Sequence, residues 1–391
     1  MATTRDLDAL LESFLLRGLP CCGLRITQHG RVLYENYAGC SNPESQIPTD
    51  HKSVFRMASM SKIPLYTSLM MLYERGYFLM SDPIWPFLPE WRELKKYEYD
   101  ANGFVHTVPV QKPITFRDVF SMKCGLPYCN FPAPTENLTL RSMQKCMKPL
   151  WDKGHFTLRE HVRAMSGAVL AAEPGERWIY GFSSELAAAL LEVLCDKPID
   201  DIFREMLFDP LEMPDTGSRY FGDIKERMVQ LYQQDGEGNL VHYECPLDEK
   251  YILGEEHEQG WGRLFSTVED FSHLMQMLAE GGQYKGRRFL GTGTIDMMRT
   301  NGLTPTQAAA YGSNPYEAGY GYGYGVRTLL SRDKGNHNGA LGSFGWTGGF
   351  GTFCEADPAD GVSIVYMHNM IPNNELYYHH RVRTAAYALI D

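Results

Sequence analysis

Ser59-Met60-Ser61-Lys62 sets a hydroxyl and an amine three residues apart, where an apolar helix begins. On a helix, residues i and i+3 share a face, so this spacing brings the Ser59 hydroxyl and the Lys62 amine within reach of each other. A serine hydroxyl is a weak nucleophile until a neighbour takes its proton, and an amine kept neutral can do so. Downstream, Leu65, Leu69, Met70, Leu72 and Tyr73 recur at three- and four-residue steps, and Gly76 stands where a cap is wanted. Pro64 is tolerated only in a first turn, whose amides lack intrahelical partners, so it fixes the helix start near Ser59. The same spacing recurs at Ser142-Met143-Gln144-Lys145 and Ser331-Arg332-Asp333-Lys334, where it reads as a surface coincidence.

Working outward, residues 22–27 and 31–37 read as two strands joined at His29-Gly30, an antiparallel hairpin. Residues 82–302 read as mostly helical with proline-rich breaks, and the periodicity predicts helices over 183–194 and 268–279. Residues 126–155 are rich in Pro, Met and aromatics without a clear period, which predicts a packed surface loop or a lid. Strands return at 321–326, 351–356 and 362–367, before a closing helix over 375–390. The expected fold is α+β: an antiparallel sheet formed from both chain ends and flanked by helices, with an inserted, mostly helical lobe. The expected division is a discontinuous sheet region, 1–80 and 303–391, around a helical region, 81–302.

Composition narrows the function class. Apolar content of 43% and charged content of 22% are those of an ordinary globular protein. A net charge of −11 without a Lys/Arg-rich run argues against a nucleic-acid partner. No run approaches the length of a membrane-spanning helix. The first 19 residues carry Arg5, Asp6, Asp8 and Glu12 through an apolar pattern, an amphipathic helix and not an export signal. Nine irregularly spaced cysteines do not suggest a disulfide framework, so reduced thiols and a cytoplasmic location are expected. Glu255-Glu256-His257-Glu258 reads as a solvated acidic loop and His379-His380 lacks a partner motif; neither a metal nor a cofactor is expected.

Further stretches stand in a fixed order around Ser59. Phe55-Arg56-Met57-Ala58-Ser59-Met60-Ser61-Lys62 is followed by Asp82-Pro83-Ile84-Trp85-Pro86-Phe87-Leu88-Pro89 and Ile114-Thr115-Phe116-Arg117-Asp118-Val119-Phe120. Gly125-Leu126-Pro127-Tyr128, Pro174-Gly175-Glu176-Arg177-Trp178-Ile179-Tyr180 and Gly345-Trp346-Thr347-Gly348-Gly349-Phe350-Gly351-Thr352 come next. Over roughly residues 20–370 this ordered set resembles the serine β-lactamase and penicillin-binding-protein superfamily, in its class C-like branch of family VIII carboxylesterases. The resemblance implies Ser59 as nucleophile, Lys62 and Tyr180 as proton-handling residues, and the amides of Ser59 and Gly349 as oxyanion hole. It sets Phe182, Trp346, Thr347, Gly348, Tyr128 and Trp261 around the substrate. Either Lys62 or Tyr180 could act as the base: each titrates near ~10 when unperturbed, so work near neutral pH needs a shift of about three units. Such coupled groups resist assignment to one residue.

The departures are informative. Phe182 stands where the resembled β-lactamases place Asn, and Trp346 where they place Lys. Both changes remove groups that would hold a β-lactam's amide and carboxylate. They favour a small, uncharged, partly apolar ester, hydrolysed or passed to another acceptor. Met122-Lys123-Cys124 replaces the usual His-Thr-Ser and could bring a cation near the site. Gln259-Gly260-Trp261-Gly262-Arg263 is bulkier than the usual glycine run.

Overall fold

The computed structural model describes residues 3–128, 134–252 and 263–390. The eight strands of its main sheet are β1 (Cys21–Gln28), β2 (Arg31–Asn42), β3 (Ile47–Pro48), β4 (Tyr320–Tyr322), β5 (Arg327–Leu329), β6 (Phe344–Thr347), β7 (Phe353–Asp357) and β8 (Val362–Met367). Their order across the sheet is β4-β5-β6-β7-β8-β1-β2-β3, antiparallel throughout. The two chain ends meet where β1 pairs with β8 in the register Ile26↔Ile364. His29 and Gly30 both take positive φ, the geometry a two-residue hairpin turn requires.

Strand alternation divides the core. Cys22, Leu24, Ile26, Ile364 and Tyr366 face Leu7, Leu11 and Phe14 of helix Thr4–Leu16 and Tyr378 and Val382 of helix Glu375–Tyr387. Cys354, Ala356, Val365 and Met367 point the other way, into a larger core shared with helix Val268–Ala279 and the helical lobe. β8 is buried along its whole length because both faces of the sheet are covered.

Helix Lys62–Glu74 is buried from Lys62 through Leu72, on every side. A helix apolar all round belongs in the middle of a core, and this one packs against helix Ser183–Cys195. Ser59 lies in the single 3-10 turn Ala58–Ser61 that leads into it.

Three expectations need correcting. Within 126–155, residues Pro134–Lys153 form a 20-residue helix, with Pro149 tolerated near its end. The run 321–326 is not one strand: β4 and β5 form a hairpin, and Gly325 turns the chain at φ 75° with its amide on the Phe120 carbonyl. The helical middle also holds a hairpin, Lys95–Tyr99 with Val105–Pro109. Among the described residues, no helix is long and apolar enough to cross a membrane.

Candidate active site

Three segments converge at the N-terminal end of helix Lys62–Glu74. The first is the 3-10 turn itself. Ala58, just before Ser59, has φ 45°, a left-handed conformation that a side-chain-bearing residue adopts only at a cost. Its neighbours hold it there. The Met57 amide donates to the Leu264 carbonyl and the Leu264 amide to Ser61 Oγ, both within the buried core. Lys62 is 1% exposed, and its ammonium donates to Ser59 Oγ at 3.4 Å.

Tyr180 belongs to the second segment. Gly181 is the hinge of its placement: a Cβ there would stand 1.6 Å from the Leu126 carbonyl oxygen. That close approach lets Phe182 donate to the Leu126 carbonyl and Tyr128 to the Tyr180 carbonyl. The amine of Lys62 lies 5.1 Å from the Tyr180 ring centre and 5.3 Å from that of Tyr128. Tyr128 donates its hydroxyl to the fully buried Glu185 carboxylate at 3.0 Å. Burial and that adjacent charge hold the Tyr128 hydroxyl well above its ordinary range, so it stays a donor.

The third segment is the end of β6 and the turn after it. Gly348 admits no side chain, since a Cβ would sit 2.2 Å from the Met57 carbonyl oxygen and 2.3 Å from Thr352 Oγ1. This contact seats the turn directly against the Ser59 segment. Thr352 reinforces it by donating its hydroxyl to the Met57 carbonyl and accepting the Gly348 amide. Gly349 is exposed, with open space on its side-chain face. Trp346 donates its indole N–H to the Tyr180 oxygen at 3.2 Å. The indole therefore does more than fill space, because its N–H fixes the phenol oxygen by a hydrogen bond.

Ser59, Tyr180, Trp346, Thr347, Gly348 and Gly349 line one cleft of about 640 Å³. Its aromatic walls are Trp178, Tyr180, Tyr311 and Trp346, and its charged groups are Glu136, Arg177, Glu317 and Glu375. Glu136 is contributed by helix Pro134–Lys153 and Glu375 by the last helix. Neither residue carries a sequence signal, since only folding brings them beside Ser59. Burial pushes the Glu375 carboxyl above the usual carboxylate range.

Other sequence candidates fall elsewhere. Tyr128 and Phe182 line a separate cavity of about 370 Å³, with Leu140, Met143, Met147 and Trp151. Trp261 and the acidic loop 255–258 lie outside the described residues. Lys123 brings no cation to the cleft, for its ammonium donates to the Gly302 carbonyl at 2.7 Å. Ser142 accepts the Val169 amide and Ser331 caps a short helix, while Lys145 and Lys334 are exposed. His379 accepts from the Tyr316 hydroxyl and donates to the Gly351 carbonyl, which ties the last helix to the turn holding Gly349. Among the described residues, no group of His, Cys, Asp and Glu is arranged to hold a metal.

These three segments enclose one cleft, with Ser59 on one side and Gly348-Gly349 on the other. A sequence model of the beta-lactamase family matches residues 7–388, and the chain belongs to that family. An uncharacterized protein of Mycobacterium tuberculosis is 24% identical over 353 residues, 89% of this chain and 85% of the relative. The structure of unliganded simvastatin synthase LovD from Aspergillus terreus superposes with a TM-score of 0.83 at 19% identity, covering 99% of each chain. EstCE1, a hydrolase with promiscuous acyltransferase activity, superposes with a TM-score of 0.79 at 21% identity, covering 98% of each.

Proposed function

We propose that the protein takes an acyl group from a small carboxylic ester onto Ser59 and passes it to an alcohol or amine acceptor, or to water where no acceptor is bound. The observation that carries this reading is the Lys62 amine 3.4 Å from Ser59 Oγ, in a cleft where the Tyr180 oxygen accepts the Trp346 indole N–H. The Lys62–Tyr180 pair, with the Tyr180 oxygen held by the Trp346 donor, is proposed to take the Ser59 proton. As Ser59 attacks, negative charge develops on the carbonyl oxygen. The amides of Ser59 and Gly349 are proposed to receive it, each such donor being worth about 3 kcal/mol of barrier. The proton then returns to the leaving alcohol, and the acceptor reverses the sequence.

Two features support a substrate without a carboxylate. Trp346 is an uncharged donor, and the single Thr347 hydroxyl proton already faces two acceptors, the Thr352 carbonyl at 3.0 Å and Glu375 Oε2 at 3.3 Å. A β-lactam carboxylate would meet Glu375 instead of a cation. EstCE1, similar in fold, is described as a hydrolase with promiscuous acyltransferase activity, which supports transfer alongside hydrolysis. The eight described cysteines are free thiols, which supports the cytoplasmic setting we also propose.

Acylating the protein with a nitrophenyl ester, with and without a short alcohol, tests the division between fates. Transferred ester that rises with alcohol concentration, at the expense of free acid, is expected. Free acid alone at every concentration would reduce the activity to hydrolysis, and rapid turnover of a chromogenic cephalosporin would contradict the substrate reading.

A further inference from the structure

The charges lining the Ser59 cleft are three carboxylates against one guanidinium, and their partners are unequal. Glu136 is paired with Arg177. Glu317 accepts from Tyr311 and faces Arg327 at 3.7 Å. Glu375 has neutral neighbours only, the Thr347 hydroxyl at 3.3 Å and the Asn373 amide at 3.4 Å. Among the described residues, no cation pairs with it. Two guanidiniums that feel its charge are engaged elsewhere: Arg327 lies over the Tyr316 ring and opposite Glu317, and Arg383 pairs with Glu355 at 2.7 Å.

This carboxyl does not stand alone. Trp178, Tyr180, Tyr311 and Trp346 line the same cleft, and aromatic rings attract cations through their quadrupoles. Position 346, where resembled proteins hold a lysine, adds no positive charge. With Arg177 taken by Glu136 and Lys62 by Ser59, an unpaired carboxyl and aromatic walls describe a receptor for an ammonium group, and burial of Glu375 makes such a partner more valuable. A net charge of −11 over the whole chain favours approach of the same ligands.

We infer that the alcohol portion of the ester handled at Ser59 carries an ammonium group, held between Glu375 and the aromatic walls of the cleft. The inference rests on the acyl-transfer reading and adds the substrate class, esters of amino alcohols. In the reaction, Ser59 Oγ bonds to the acyl carbon and the bond from that carbon to the alkyl oxygen breaks. The serine proton passes through the Lys62–Tyr180 pair to the departing oxygen, so the amino alcohol leaves with its ammonium unchanged. Water or a second alcohol then cleaves the acyl-serine, giving the acid or a new ester and restoring the serine proton.

The full-length protein is assayed with acetyl esters of trimethylammonio alcohols bearing two-, three- and four-carbon spacers. Each is set against its tert-butyl isostere, which has the same shape and no charge. For at least one spacer, kcat/KM is expected to favour the cationic ester by about tenfold, and the ratio to collapse toward one in Glu375→Gln. Both esters are measured on one preparation, so partial loss of fold cancels in the ratio. Wild-type ratios at or below one for every spacer would overturn the inference and leave the acyl-transfer reading standing. So would a ratio that survives Glu375→Gln, or no turnover of any ester by a protein that a fluorophosphonate still labels. Absence of labelling together with absence of turnover would overturn both.

Discussion

Trp346 stands where a lysine is expected and occupies that position differently. A lysine there would present a point charge to a substrate carboxylate, whereas the indole donates to the Tyr180 oxygen at 3.2 Å and closes the wall of the cleft. Replacing it with Phe keeps the wall and removes the donor. Trp346→Phe should lower kcat by about tenfold to a hundredfold while changing KM little, because the Tyr180 oxygen loses its fixed donor. Tyr180→Phe removes the oxygen itself, and a loss of about 10²–10⁴ in kcat is expected in steady-state ester assays. An unchanged kcat in Trp346→Phe would mean that the indole acts only by packing. At this scale Ser59, Lys62, Tyr180 and Trp346 were legible in the sequence because each sits in a local motif. Glu375 was not, since its relation to Thr347 exists only across 28 residues of folded chain.

At the scale of elements, the Ser59 helix could be read from its apolar period and the position of Pro64, and the helices Ser183–Cys195 and Val268–Ala279 from theirs. Helix Pro134–Lys153 escaped because Pro149 looks like a break and masks the stripe of Leu140, Met143, Met147 and Leu150, even though the helix brings Glu136 to the cleft. The β4–β5 hairpin looked like one strand because alternating Gly and Tyr keeps period two through the turn. Close approach between elements leaves only a glycine as its trace, and Gly181 is the sharpest instance. Gly181→Ala should destabilise the fold by about 1–3 kcal/mol, read as a lowered urea midpoint, because its methyl would collide with the Leu126 carbonyl. Activity should fall further than stability, since the same collision moves Tyr180. An unchanged midpoint would show that the segment around Leu126 yields freely.

Across the whole molecule, buried titratable groups set the response to acid. Burial holds His337 down at about 4 and both His368 and His380 at about 3, so all three are neutral in the folded protein. In the unfolded chain they take up protons near pH 6.5, so unfolding binds protons and stability is lost as pH falls from about 6.5 toward 3. Asp270 works in the opposite sense: burial raises its carboxyl to about 7, so its contribution is lost as pH rises from about 4 to 7. His273 and His379 are held down as well, and Asp357 and Glu375 join Asp270 in being pushed up; with five histidines against three carboxyls, urea midpoints should fall steadily below pH 6. The pairing of β1 with β8 places both chain ends in one sheet, so this loss should appear as a single transition. A midpoint flat between pH 6 and 4 would mean that these imidazoles are solvated in the native state.

The measurement that bears most directly on the account is intact mass after treatment with a fluorophosphonate, on the wild type and on Ser59→Ala. A single adduct on the wild type, absent from Ser59→Ala, is the predicted result. No adduct on the wild type, or an equal one on Ser59→Ala, would contradict the assignment of Ser59 as the nucleophile.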